Sequence, residues 1–174
     1  MAKIVQISDF KGKYAVSLNA FDTTILQSFI DKYETKYLYD LLGVTLGDLL
    51  LADIATPFTV PTTLIYQTIF NALNIDNSNY SYCNQIRSNG IKEALIGFIY
   101  FEYIRTKAVV NTPVGSVVAQ NEVSNISDFS STLIYINYNE SVKSYKSIQQ
   151  YIFINSSNYP TFAGVNKSYN SWAS

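Results

Sequence analysis

A chain of 174 residues, 48% hydrophobic and 14% charged, is long enough for one domain with a core and too apolar to remain disordered. Its 12 basic and 13 acidic residues leave a net charge of −1, which excludes a protein that grips phosphates along a basic face. With no histidine and one cysteine, it lacks Ser-His-Asp and Cys-His nucleophile pairs, the commonest metal ligand and any intrachain disulfide.

The charged fraction falls well below the ~25% usual for soluble domains, so Ser, Asn, Thr and Tyr must cover much of the surface. The 15 Tyr and 10 Phe supply large, stiff contact area of the kind found in protein interfaces. AT-rich coding also favours Ile, Asn, Tyr and Lys, so composition alone does not decide the point. Arg87 and Arg105 are the only arginines, leaving few candidates for bidentate phosphate or base readout. The first residues show no signal-peptide core. The longest apolar run, Ala94 to Phe101, is far shorter than the ~20 residues that span a bilayer. The expectation is a soluble protein made in the cytoplasm.

In chain order, Ile4, Val5 and Ile7 before Asp9–Lys13, with Tyr14, Val16 and Leu18 after, predict a β-like hairpin or extended arm over residues 1–18. Asn19 with Asp22 reads as the start of a helix. Phe21, Ile25, Phe29, Tyr33, Tyr37 and Leu41 then recur at four-residue spacing, and Gly43 ends the helix. Thr45 with Asp48 reads as the cap of a short second helix closed by Pro57. Pro61 reads as the first turn of a third helix with Ile65, Ile69 and Leu73 on its face, followed by a polar connection over 74–84.

Ile91 to Arg105 predicts a helix that is apolar on every side over Ala94–Phe101, hence central and buried. Gly97 within it predicts close approach of another helix. Pro113 and Gly115 break the pattern, and Val117-Val118 suggests a short strand inside a long loop over 111–126; loops of that length are usually functional or disordered. A last helix is predicted over 127–154, with Leu133, Ile134, Tyr138, Val142, Tyr145, Ile148 and Ile152 facing inward. An aperiodic aromatic tail fills 155–174. No internal repeat or linker divides the chain, which reads as a single domain over 1–174 with its helical core in 19–110. The fold class expected is mainly α, a helical bundle around a buried central helix.

Little in the chain carries chemistry. The seven glycines form neither a dinucleotide-binding nor a Walker A spacing. Cys83 has no histidine base to activate it. Asp31 and Glu34 lie among Lys32 and Lys36 and read as an ordinary solvated helix face. Asp48, near Asp53, is assigned to the cap. Glu102 and Arg105, at the end of the central helix, read as reaching solvent. The expectation is a protein that is not an enzyme, with no catalytic residues, no cofactor and no metal.

Three stretches in order, Tyr33–Gly43, Gly90–Glu122 with its Asn111-Thr112-Pro113-Val114-Gly115, and the closing helix with Tyr151-Ile152 followed by Tyr159-Pro160-Thr161-Phe162, resemble the small head–tail connector proteins of tailed bacteriophages. These are also called adaptor or head-completion proteins, and the likeness is to those of crAss-like and gut Bacteroides phages. It covers most of residues 20–165. It implies a virion protein in a ring of identical subunits, typically about twelve, stacked on the portal protein. Such a ring extends the DNA channel without sequence-specific binding and offers a platform to the next neck or tail ring. Loop and tail residues Asn111, Pro113, Val114, Gly115, Val117, Val118, Tyr159, Pro160, Phe162 and Trp172 are the expected partner interface. A small helical adaptor that binds one partner without ring symmetry is the alternative. A carboxylate-only enzyme or a carbohydrate-binding module is a third class, although Trp172 is the one Trp available as a platform.

Overall fold

A computed structural model describes residues 3–16, 20–76, 85–107, 109–112, 115–118, 127–162 and 169–170. The fold is mainly α. Three long helices, α1 (Ala20–Leu42), α4 (Ile91–Lys107) and α5 (Ser127–Ile154), form the bundle. Short helices α2 (Val44–Asp53) and α3 (Leu64–Phe70) lie at one end. Two antiparallel strand pairs accompany them, β1 (Leu73–Asp76) with β2 (Gln85–Ser88), and β3 (Val109–Thr112) with β4 (Gly115–Val118).

Helix α4 is the central element. Ile91, Ala94 to Ile99 and Phe101 to Tyr103 are all buried on it, because its apolar residues surround the axis and leave no polar stripe for water. Helix α1 runs antiparallel to it. Asp22 pairs with Lys107 at one end, Phe29 meets Tyr103 edge-on at 5.7 Å, and Tyr37 stacks on Phe98 at 4.6 Å. Helix α5 is antiparallel to α4 as well, with Phe101 against Tyr138 at 4.5 Å and the Asn89 N–H donating to Ser144 Oγ at 3.1 Å.

Gly97 sets the α4–α5 distance. A Cβ at that position would lie 1.9 Å from Ser141 Oγ and 3.2 Å from Ser141 Cβ, so only hydrogen fits between the helices. The close approach expected from sequence is present, and α5 is the helix that makes it. Gly43 ends α1 as expected, at φ 79, where a side chain would be strained. Its N–H donates to the Tyr39 carbonyl at 2.8 Å.

Several local expectations fail. Residues 3–16 form no hairpin; two 3-10 turns, Ile7–Asp9 and Gly12–Tyr14, fold the segment onto the bundle. Alternation predicts strand pairing, but the amides that would pair are claimed elsewhere. Ile4 and Val5 donate to Glu34, and Gln6 donates to Asp9 Oδ2 at 2.9 Å, which turns the chain. Thr45 is no cap, since α2 begins at Val44; Asp48 instead accepts from the Tyr39 hydroxyl at 2.5 Å.

Pro61 precedes α3 rather than opening it. Asp53 fixes that entry by accepting from Thr63 N at 2.7 Å, Thr63 Oγ1 at 2.6 Å and Thr62 Oγ1 at 2.9 Å. These bonds, the Thr63 side chain foremost, hold its carboxyl below the usual carboxylate range. Leu73 belongs to β1, not to α3, and the supposed polar connection over 74–84 contains most of that strand. Asn19, Leu18 and Cys83 lie outside the described residues.

Candidate interaction surface

The predicted loop over 111–126 begins as a hairpin that starts two residues earlier. Val109 pairs with Val118, Val110 with Val117, Asn111 with Ser116 and Thr112 with Gly115. Pro113 and Val114 lie between the strands, outside the described residues, as do residues 119–126. No Asp, Glu, Lys or Arg occurs from residue 108 to residue 121. The hairpin springs from the C-terminal end of α4, which supplies its principal contact with the bundle. An isolated two-stranded ribbon is marginal in water.

The tail is divided in its allegiance. Tyr159 is buried and donates to the Ile65 carbonyl at 2.9 Å, and burial pushes its phenol far above the usual range. It clamps the tail onto α3. Phe162 packs against the core in part, and Pro160 is exposed. Trp172 lies outside the described residues. Tyr169, which sequence reading passed over, closes an aromatic cluster with Tyr37, Phe98 and Tyr145 and donates to Asp40.

Sequence reading also missed an apolar shoulder between α2 and α3. Phe58, Val60, Leu64 and Ile65 are exposed there, Leu64 by 75%. Phe58 holds φ at 68, a left-handed conformation that costs a bulky residue energy. The available signal was the absence of charge: residues 54–75 contain no Asp, Glu, Lys or Arg. Helix α3 ends beside the start of α4, where a Cβ on Gly90 would lie 2.4 Å from the Phe70 carbonyl oxygen. Shoulder and hairpin therefore adjoin opposite ends of a helix ~25 Å long.

The charged groups that stood out in the sequence are structural. Glu102 does not reach solvent: it is 7% exposed, and accepts from the Tyr37 hydroxyl at 2.7 Å and from Arg105 at 2.5 Å. Arg105 carries the expected exposure. The Tyr37 phenol is held far above its usual range, first by burial and then by its bond to Glu102. Tyr37→Phe removes the neutral one of the two donors to the buried Glu102 carboxylate and should cost about 2 kcal/mol, read as a lower urea midpoint at unchanged slope.

Glu34 is likewise no part of a solvated face. It is 2% exposed and accepts from Val5 N at 2.8 Å and Ile4 N at 3.3 Å. Among the described residues no group of three or more Cys, Asp or Glu side chains is placed to hold a metal. No protein-family model, curated protein or solved structure matches this chain. The buried carboxylates are structural: Glu102 joins α4 to α1, and Glu34 joins α1 to the N-terminal segment.

Proposed function

We propose that this chain is a structural virion protein, a head–tail connector that forms a ring at the portal vertex of a tailed phage. The observation that carries the reading is a pair of unlike, charge-free segments at opposite ends of α4, the paired strands 109–112 and 115–118 and the exposed shoulder of residues 58–65. Unlike surfaces make heterologous contacts, and such contacts close into rings when the rotation between subunits permits. Depletion of charge marks the core of protein interfaces. The sequence resemblance supplies the setting, with portal protein on one side and the next neck ring on the other.

A net charge of −1 and two arginines suit a channel wall past which DNA slides, since many phosphate contacts would hold it back. No helix among the described residues is long and apolar enough to cross a membrane. The absence of histidine agrees with a role in assembly rather than in reaction.

Deleting residues 112–122 should leave the helical circular-dichroism signal intact, because the deletion falls between α4 and α5 and leaves every helix whole, and should abolish self-assembly in mass photometry. A deletion variant that still assembles would remove the hairpin from the interface. Loss of the helical signal would show that the segment belongs to the core.

A further inference from the structure

Residues 3–14 behave as a bound peptide more than as part of the bundle. They contribute no strand and no α-helix, and are held mainly by side chains of the surface on which they lie. Ile4, Val5, Phe10 and Tyr14 are buried, Tyr14 against Tyr100 at 5.6 Å. Glu34 of α1 takes the two successive amides of Ile4 and Val5. Ion pairs tie the segment to all three long helices: Lys3 to Asp31 at 3.0 Å, Asp9 to Lys92 at 2.9 Å, and Lys13 to Glu93 at 3.1 Å and Glu140 at 2.7 Å.

The two sides are complementary in charge. The segment carries Lys3, Lys11 and Lys13 against Asp9, a net of +2, and its charged neighbours are Asp31, Glu34, Glu93 and Glu140 against Lys92, a net of −3. Attraction of this kind steers encounters between molecules as well as holding them. Few main-chain bonds tie the segment to its own bundle, chiefly Phe58 N–H to the Lys3 carbonyl at 2.6 Å. An identical segment from another copy carries the same groups for these contacts, and only residues 15–19 join the segment to α1. Short connections favour exchange of an element between copies.

We propose that this groove is a docking site for residues 3–14 of a second copy, so that neighbouring subunits in the assembly exchange N-terminal segments. The proposal rests on the self-association put forward above and adds to the hairpin and the shoulder a third contact between the same subunits. It places the segment from one subunit across α1, α4 and α5 of the next.

The test uses the full native chain. Equal amounts of isotopically heavy and light protein are unfolded together, refolded and assembled, then coupled with a carbodiimide, which joins an ammonium directly to a carboxylate in contact with it. Mass spectrometry then reads the Lys3–Asp31 and Lys13–Glu140 peptide pairs. Exchange predicts that about half of these pairs join a heavy chain to a light one, the random share for two mixed populations. Pairs that are only heavy–heavy or light–light, in a sample that forms rings, overturn the exchange and leave the ring standing. The same result in a sample that stays monomeric overturns both. Absence of both coupled pairs overturns the seating of the segment itself.

Discussion

Gly97→Leu should cost the protein about 3 kcal/mol, because a leucine has to occupy space that does not admit even its first carbon. The built Cβ meets Ser141 Oγ at 1.9 Å and comes within 3.2 Å of the Tyr14 hydroxyl oxygen, so α5 and the N-terminal segment must both move. For a chain of this size that penalty corresponds to a fall of ~10 °C in melting temperature, measurable by circular dichroism at 222 nm. The milder Gly97→Ala gains roughly 1 kcal/mol in helix propensity but meets the same oxygen. Ser141→Gly should therefore rescue it, and a double-mutant cycle should report coupling between the two positions. A Gly97→Leu protein as stable as wild type would mean that α4 and α5 do not pack through this point.

Glu34→Ala should free the N-terminal segment while leaving the bundle folded. Two buried amides, those of Ile4 and Val5, lose their acceptor, and an unsatisfied buried amide costs roughly 1–3 kcal/mol. Removing a buried carboxylate recovers part of this, so a net loss of about 2 kcal/mol is expected. Hydrogen exchange reads it locally: amides 4 and 5 should lose protection while those of α4 keep theirs. Unchanged protection would show that Glu34 does not hold the segment.

Burial pushes the Glu34 carboxyl above its ordinary value of 4.5, against the opposing pull of the Val5 amide and Lys3. An acid with a raised folded pKa binds more protons folded than unfolded. Its contribution to stability is therefore present below 4.5 and declines as pH rises through the folded value. Glu34→Gln cannot titrate, so its stability relative to wild type should improve as pH rises from about 4 to 7.

The long elements were legible in the sequence because their patterns are driven by burial. Tyr37, Phe98 and Tyr145 each fall on a helical period and meet in one cluster, and α5 occupies the predicted span, Ser127–Ile154. What sequence reading missed was decided by single polar side chains acting across the fold. Glu34 looked solvated beside Lys32 and Lys36, yet its partners are amides ~30 positions away. Those amides in turn remove the predicted strand at Ile4 and Val5. Asp53 looked incidental, yet it sets the start of α3 through Thr62 and Thr63. Glu102 was assigned to solvent by its place near a helix end, whereas the Tyr37 hydroxyl draws it inward.

Of the expected interface, the hairpin around Gly115 was half legible. Pro113 and Gly115 marked the turn, but the start of pairing at Val109 lay in a stretch that also continues the helical pattern. The shoulder at Phe58 and Leu64 has no period to betray it, only an absence of charge along residues 54–75. Tyr159, expected at an interface, is committed to Ile65 within its own chain.

The most direct test of the connector reading is the mass and shape of the purified protein, by mass photometry and negative-stain microscopy, alone and mixed with its portal protein. The account predicts closed rings of uniform subunit number that stack coaxially on the portal. A protein that stays monomeric at every concentration and ignores the portal would contradict it.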